Sequence, residues 1–339
     1  MSDVTLLLAL LFLAASLDGA MIYGSGATFP APLISKWAEE YERVSDVTVE
    51  YSPVGSGGGV EQITKKLVDF GASDATMNPE EREKAPGILH IPVTLGGVVV
   101  AYNLPEIKER LRLNGDVVAG IFSGQIERWS DERIKKLNPG IELPDEEIRV
   151  VHRLDSSGTN FIFTRYLCEV SEDWKKSYGH GKLIEWFGGI PAKGNDGVSE
   201  ILSSLPYSIG YVELTWAMEK GLSHALIKNS AGNFIGANTT TIANAASAMR
   251  LPRGDEDWSN VSIVNAPGNL SYPISSFSYL LVYRDQKDGR TGKALVDFLW
   301  WAVHEGQSYA EALHYVPLPT GVVKRNEETI KMIRYPFRE

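Results

Sequence analysis

Residues 153–160 read Arg153-Leu154-Asp155-Ser156-Ser157-Gly158-Thr159-Asn160. This stretch gathers a guanidinium, a carboxylate and three hydroxyl groups around one glycine. The apolar run 148–151 before it predicts a strand, and the run 161–167 after it predicts a helix. A turn between a strand and a helix presents free backbone N–H groups at the positive end of the helix, where an anion is favoured. The stretch therefore predicts an oxyanion cradle.

Two other turns repeat this arrangement nearer the N-terminus. The turn 24–30, Gly-Ser-Gly-Ala-Thr-Phe-Pro, follows the strand candidate 21–23 and opens a predicted helix. The turn 55–59, Gly-Ser-Gly-Gly-Gly, follows the β-branched run 47–51 and precedes apolar residues at helical spacing in 60–67. Three such turns can converge on one tetrahedral anion.

The order of predicted elements indicates an α/β fold, because strands alternate with helices throughout the chain. Two long β-like runs, 89–102 and 271–283, stand out from the shorter strands. We expect both to cross between two lobes. Two crossings imply that the N- and C-terminal parts of the chain share one lobe.

The composition limits the partners that this chain can have. It has 339 residues and a formal net charge of −10, which argues against nucleic acid and acidic membrane surfaces. The single Cys168 excludes an intramolecular disulfide and an all-cysteine metal site. The six histidines contain no zinc-type pair at helical spacing, so we predict no metal and no cofactor.

The N-terminal segment 1–20 contains an apolar run at 4–17 that is too short for a comfortable membrane span. This run is typical of the core of a secretory signal, with cleavage after Ala20. The usual basic residue before the core is missing, so an anchor or a buried helix stays an alternative.

Two charged side chains give the predicted cradle its chemistry. Arg153 offers a fork that fits two oxygens of an oxyanion, and Asp155, two residues on, can hold that fork in place. Asp74 ends a short strand predicted over 69–74. A carboxylate repels an anion unless the anion carries a proton to donate, and hydrogen phosphate carries one while sulfate does not. An acceptor among donors therefore selects phosphate.

Enzyme active sites are less well supported by the sequence. No serine lies in a G-x-S-x-G motif, and residues 55–59 lack the Lys-Ser/Thr ending of a nucleotide P-loop. His152, Asp155 and Ser157 are neighbours in sequence, which does not establish a catalytic triad. Each of these features taken alone is more commonly a capped helix, a surface carboxylate or a surface ion pair. Their combination favours a binding protein over an enzyme.

Several motifs together resemble a known family, the phosphate-binding proteins of ABC-type phosphate importers, which are a branch of the two-lobed periplasmic binding proteins. The matching stretches run through nearly the whole chain after the apolar segment: 24–32 with 36–38, 55–60 with 62–63, 69–74, 129–131, 137–140, 193–197 and 209–213. Their order and spacing make the resemblance specific.

The resemblance implies a set of phosphate-binding residues divided between the lobes. These are Thr28, Phe29, Ser56, Asp74, Arg153, Ser157, Gly158 and Thr159. By the same resemblance Asp74 accepts the proton of the ligand and Asp155 pairs with Arg153. These roles agree with those that the residue types suggest.

The resemblance also implies a type II periplasmic-binding-protein fold, with two α/β lobes that are joined by two hinge strands and close on the ligand. We expect residues 21–96 plus 272–339 to form the first lobe and residues 97–271 the second. Gly96-Gly97 and Pro273-Ile274-Ser275 are the hinge candidates.

Two residues depart from the family pattern in the turns. Ser156 stands where the family usually has glycine in Arg-x-Asp-Gly-Ser-Gly-Thr, and Gly57 stands where a second serine is common. A glycine at 156 would permit a positive φ, so Ser156 leaves the backbone angle of this turn open. Neither departure removes a predicted ligand contact.

The sequence thus predicts an extracytoplasmic protein, whether periplasmic, secreted or held at the outer face of the cell membrane. We expect it to capture inorganic phosphate and deliver it to the permease subunits of an ABC phosphate importer. One alternative is a binding protein for another oxyanion, such as sulfate or molybdate. The other is a secreted phosphatase-like enzyme on the same scaffold.

Overall fold

The computed structural model describes residues 19–247, 249–252 and 256–336. Residues 1–18 of the predicted signal segment lie outside the described residues. Within the described ranges, no helix combines the length and the apolar character that a membrane crossing requires.

Helices and strands alternate along most of the chain. The helices are α1 (Ala31–Val44), α2 (Ser56–Thr64), α3 (Pro79–Lys84), α4 (Gly115–Phe122), α5 (Glu132–Leu137), α6 (Gly158–Val170), α7 (Glu172–Ser177), α8 (Gly194–Ser204), α9 (Leu214–Glu219), α10 (Thr239–Ser247), α11 (Gly289–Val303) and α12 (Thr320–Lys331). The strands are β1 (Ala20–Gly26), β2 (Val47–Pro53), β3 (Phe70–Ser73), β4 (Ile88–Tyr102), β5 (Arg112–Leu113), β6 (Arg149–Arg153), β7 (Ile190–Ala192), β8 (Ser208–Glu213), β9 (Ser223–His224), β10 (Leu226–Lys228), β11 (Phe234–Ile235) and β12 (Ser275–Tyr283). Short 3-10 helices cover Trp258–Asn260, Glu305–Tyr309 and Glu311–Leu313.

One long strand, β4, belongs to both halves of the main sheet. The strand order is β2-β1-β3-β12-β4-β8-β6-β7, with β9 also paired to β4. From Ile88 to Gly97, β4 pairs antiparallel with β12, and from Val98 onward it pairs antiparallel with β8. We call the half with β12 sheet I and the half with β8 sheet II. The small strands β5, β10 and β11 form a separate sheet.

Each half of the sheet is covered by its own helices. Helices α1, α2 and α11 pack on β2, β3 and β1 of sheet I, while α6 and α8 pack on β8 of sheet II. The periodicity of α1 explains its position, since Leu33, Trp37 and Tyr41 recur at helical spacing and are all buried. The predicted α/β fold of two lobes is confirmed.

The chain crosses between the halves twice. The first crossing is β4 itself, and the second is the segment before β12, where Ile274 accepts a hydrogen bond of 2.8 Å from the backbone N–H of Val98. The residue ranges proposed for the lobes stay a prediction. The ring of Trp258 lies 5.7 Å from that of Phe277 and 6.3 Å from that of Tyr279, between ring centroids, so part of the chain ahead of β12 packs on sheet I.

Candidate functional site

The sheet I side of the candidate site is built from Ser56 and Asp74. Ser56 is the first residue of α2, and Asp74 follows the last residue of β3. The Ser56 hydroxyl donates to Asp74 Oδ2 at 3.3 Å and lies 3.2 Å from the backbone N–H of Asp74. Ser278 of β12 donates from its hydroxyl to the other carboxylate oxygen, Oδ1. All three side chains are buried.

The first turn of α6, on the side of sheet II, lies directly against this pair. A Cβ atom added to Gly158 would be 2.4 Å from Ser56 Oγ and 2.5 Å from Asp74 Oδ2. Any larger residue at 158 would therefore push the two halves of the molecule apart. The glycine lets the positive end of α6 approach the carboxylate of Asp74. Ser157 caps this helix by accepting a hydrogen bond of 3.0 Å from the backbone N–H of Asn160.

Arg153 ends β6 and is almost completely buried, with 1% of its surface exposed. Its Nε and Nη2 atoms donate to the two oxygens of Asp155 at 2.8 Å and 2.5 Å. Its Nη1 atom is buried and has no hydrogen-bond partner among the residues that the structure describes. Because buried polar groups are nearly always hydrogen-bonded, this nitrogen marks a place for an acceptor from outside the chain.

Asp155 is fixed in its role of orienting the guanidinium. Besides Arg153, it accepts a hydrogen bond of 3.1 Å from the backbone N–H of Gly194, the first residue of α8. Burial would raise the pKa of Asp155, but the hydrogen bonds and charge of Arg153 outweigh it, and the pKa lies below its ordinary value. Asp155 is therefore ionised at neutral pH.

Asp74 has the opposite electrostatic behaviour. Burial raises its pKa from the ordinary 3.8 to about 7, against the lowering effects of the Ser278 hydrogen bond, the Arg153 charge and the Ser56 hydrogen bond. At neutral pH this carboxyl group can be either protonated or ionised. It can therefore donate to an oxyanion or accept from one.

Asn195 joins the two halves of the site. It is the second residue of α8, and its Nδ2 donates to Thr28 Oγ1 at 2.9 Å and to Thr159 Oγ1 at 3.1 Å. Its backbone N–H also donates to Thr28 Oγ1, at 3.2 Å. Since both threonine oxygens accept from the same amide, their own O–H groups are directed elsewhere and are available as donors.

Phe29 connects the site to the strand that joins the halves. It is fully buried, and its carbonyl accepts a hydrogen bond of 2.6 Å from the Tyr315 hydroxyl. A Cβ atom at Gly96 of β4 would lie 2.5 Å from the Phe29 ring. One of the two predicted hinge segments therefore touches a predicted site residue.

The structure brings the predicted site residues into one region through these contacts. Sequence reasoning missed Asn195 and Ser278. The signal for Asn195 was its place in a glycine-rich turn before a helix, like the other turns of the site. Ser278 had no signal, because nothing in the sequence distinguishes it from Ser275 and Ser276 of the same strand. Among the described residues, no group of three histidine, cysteine, aspartate or glutamate side chains is arranged to hold a metal ion.

The two-lobed fold, with buried polar side chains from both halves in contact with each other, is that of a solute-binding protein. In agreement, a family model described as "PBP superfamily domain" matches residues 14–303. Within that superfamily, the chain belongs to the family of the phosphate-binding proteins PstS.

Two relatives and one solved structure illustrate this membership. Phosphate-binding protein PstS of Xylella fastidiosa (strain 9a5c) is 40% identical over 312 residues, which cover 90% of this chain and 84% of that protein. Phosphate-binding protein PstS of Methanocaldococcus jannaschii is 41% identical over 337 residues, covering 93% and 86%. The solved structure of a human phosphate binding apolipoprotein shares the fold, with a TM-score of 0.74 at 20% identity and coverage of 91% and 93%.

Proposed function

We propose that this protein captures hydrogen phosphate between its two lobes, outside the cytoplasm, and delivers it to the permease subunits of an ABC phosphate importer. The family membership supports this function. The observation that carries it is the buried Nη1 of Arg153, for which the described part of the chain supplies no hydrogen-bond partner. A buried guanidinium with one nitrogen left over after its pairing with Asp155, near a carboxyl group with a pKa of about 7, suits an oxyanion that brings its own proton.

The binding residues act as a clamp in this proposal. From the first lobe Thr28, Phe29 and Ser56 donate, while from the second lobe Arg153 and the first turn of α6 donate. That turn contributes Ser157, Gly158 and Thr159, and the fork of Arg153 is oriented by Asp155. Charge-assisted hydrogen bonds contribute about 1.5–3 kcal/mol each. A handful of them, after several kcal/mol of desolvation, supports at least micromolar affinity, about −8 kcal/mol.

Asp74 sets the choice of anion. An ionised Asp74 and hydrogen phosphate hold one proton between them, which either partner can carry, so the contact between one oxygen of each has a donor. Sulfate brings no proton, so it can bind only where Asp74 itself is protonated; above the pKa of about 7 it would meet an ionised Asp74 as a like charge. We infer that phosphate is preferred over sulfate because sulfate is penalised.

The lobes of the proposal comprise residues 21–96 plus 272–339 and residues 97–271. The change of partner along β4, from β12 at Gly97 to β8 at Val98, supports a boundary there. Residues of the first set then face those of the second across the cleft. Closure brings the donors of both lobes to the ligand at the same time.

Binding without catalysis is part of the proposal. The relatives are named as binding proteins. A secreted phosphatase-like enzyme on the same scaffold is the competing function. Incubation with p-nitrophenyl phosphate distinguishes the two, because steady release of nitrophenol by the purified protein would contradict a pure binding role.

The main test is isothermal titration of the protein with phosphate and with sulfate. We expect one phosphate site per chain and far weaker sulfate binding. Arg153→Ala should weaken phosphate binding by at least about 2 kcal/mol, or about thirtyfold in Kd, because it removes a buried charged partner. Arg149→Ala is the matched control, since Arg149 lies on the same strand but is exposed. Equal affinities of the two variants would place the anion elsewhere, and comparable sulfate affinity would contradict phosphate selection.

A further inference from the structure

The two departures from the family pattern, Gly57 and Ser156, face each other across the cleft. The backbone N–H of Gly57 donates a hydrogen bond of 2.8 Å to the carbonyl of Ser156. Gly57 is the second residue of α2, next to Ser56, and Ser156 directly precedes the cap of α6, Ser157. The contact therefore joins the turns that carry donors from both lobes.

The side chain of Ser156 occupies the space that a side chain at 57 would need. A Cβ atom added to Gly57 would lie 2.1 Å from Ser156 Oγ and 2.3 Å from Ser156 Cβ. Rotation of the serine side chain can move its Oγ but not its Cβ. Any residue other than glycine at 57 must therefore displace the backbone of the opposite turn.

The local backbone does not require glycine at 57. The φ of Gly57 lies outside the left-handed region, and the residue is within a helix, where alanine is the better helix former. Ser156 likewise has no positive φ, so serine fits its turn without strain. The missing side chain at 57 serves the contact across the cleft.

We propose that Gly57 and Ser156 form an interlock that sets how far the lobes close around phosphate. The pair positions the donors of residues 157–159 against Ser56 and Asp74, and neither residue has to touch the ligand. This inference rests on the proposed function. Other combinations, such as serine at 57 with glycine at 156, would fill the same space from the opposite side.

The geometry shows why closure should be sensitive to this contact. Ordinary contact with a Cβ atom begins at 3.4 Å, whereas the Cβ atoms of residues 57 and 156 would be 2.3 Å apart. Relief of the clash moves the turn of Ser156 by more than about 1 Å, beyond the tolerance of a hydrogen bond. Donors from the two lobes could then no longer all reach one phosphate.

The test is a double-mutant cycle read by phosphate titration. Gly57→Ala should raise the Kd for phosphate at least tenfold, whereas Ser156→Gly should stay within threefold of the unmodified protein. The double variant should also return to within threefold, because removal of the serine side chain makes room for the new Cβ. Gly188→Ala is the control, since its Cβ would meet no atom within 4 Å and its φ is not positive.

Thermal unfolding in phosphate-free buffer separates this effect from damage to the fold. Gly57→Ala should unfold at no lower temperature than the unmodified protein. The interlock is refuted if Gly57→Ala binds phosphate normally, or if the double variant loses as much affinity as Gly57→Ala alone. An unmodified protein that binds no phosphate would refute the proposed function and the interlock together, so the two failures are distinguishable.

Discussion

Replacement of Asp74 by asparagine tests whether a buried carboxyl group with a raised pKa lies at the centre of the site. Asparagine has nearly the same shape and stays neutral. Its oxygen can accept from the Ser278 hydroxyl as Oδ1 of Asp74 does, and its NH2 can donate to Ser56 Oγ. The substitution therefore removes the titration of Asp74 and keeps the surrounding hydrogen bonds.

The magnitude follows from the pKa of Asp74, which is about 7 in the folded protein against an ordinary 3.8. Each pKa unit corresponds to about 1.4 kcal/mol, so the raised pKa of Asp74 can change the free energy of unfolding by at most about 4 kcal/mol. Between these two pKa values the folded state binds a proton that the unfolded state has released. The protonated Asp74 therefore contributes its full stabilisation of the folded state below about pH 4, and this contribution is lost as the pH rises through about 7. About 2.5 kcal/mol of unfolding free energy is lost between pH 5 and pH 8.

Urea unfolding in phosphate-free buffer at several values between pH 5 and pH 8 measures this loss. The difference in unfolding free energy between Asp74→Asn and the unmodified protein should grow by about 2.5 kcal/mol in favour of the variant from pH 5 to pH 8. Groups whose pKa does not depend on Asp74, such as His224, titrate in both proteins and cancel in the difference. Glu213 does not cancel fully, because the charge of Asp74 raises its pKa. Parallel pH curves for the two proteins would show that Asp74 does not carry a raised pKa.

Three further outcomes follow from the site. Acidification from pH 8 to pH 5 should strengthen sulfate binding to the unmodified protein, because a protonated Asp74 can donate. Asp74→Asn should bind sulfate with an affinity that does not change with pH. Titration of both proteins with sulfate at both pH values compares them, and an equal pH response would contradict the role of this carboxyl group. Asn195→Ala should weaken phosphate binding by about 1 kcal/mol, or about fivefold in Kd, because the hydroxyls of Thr28 and Thr159 lose their common donor. An unchanged affinity would show that these hydroxyls are not ligands. The ion pair between Lys182 and Glu81 is 2.6 Å long and joins the two proposed lobes, so it should aid closure slightly. Glu81→Gln should therefore weaken phosphate binding about two- to threefold at low salt and have no effect in 0.5 M NaCl. A loss that persists at high salt would exclude an electrostatic cause.

The long apolar elements were predictable because their pattern alone determines them. The run 89–102 corresponds to β4, and the run 271–283 contains β12. The glycine-rich turn at 55–59 behaves differently, since α2 begins at Ser56 although glycine is a poor helix former. Close packing explains why glycine occurs in this helix, since a Cβ atom at Gly59 would lie 2.6 Å from the carbonyl oxygen of Ala72.

The parts of the site that escaped prediction depend on distant contacts. Helix α6 starts at Gly158, so three residues taken for a turn form its first turn, under the cap of Ser157. The sequence placed an acidic residue at 74 but could not indicate its pKa, which is set by burial. It also could not show that Ser156 and Gly57 face each other, because nearly a hundred residues separate them.

The position of β12 in the sheet has a consequence for biosynthesis. This strand lies between β3 and β4, yet its last residue is Tyr283. As the ribosome works from the N-terminus, β3 and the first part of β4 keep unpaired edges until the chain has almost been completed. Sheet II, in contrast, has all its strands by His224. The strand order thus leaves sheet I incomplete until β12 has been made, although β1, β2 and β3 can already pair with one another.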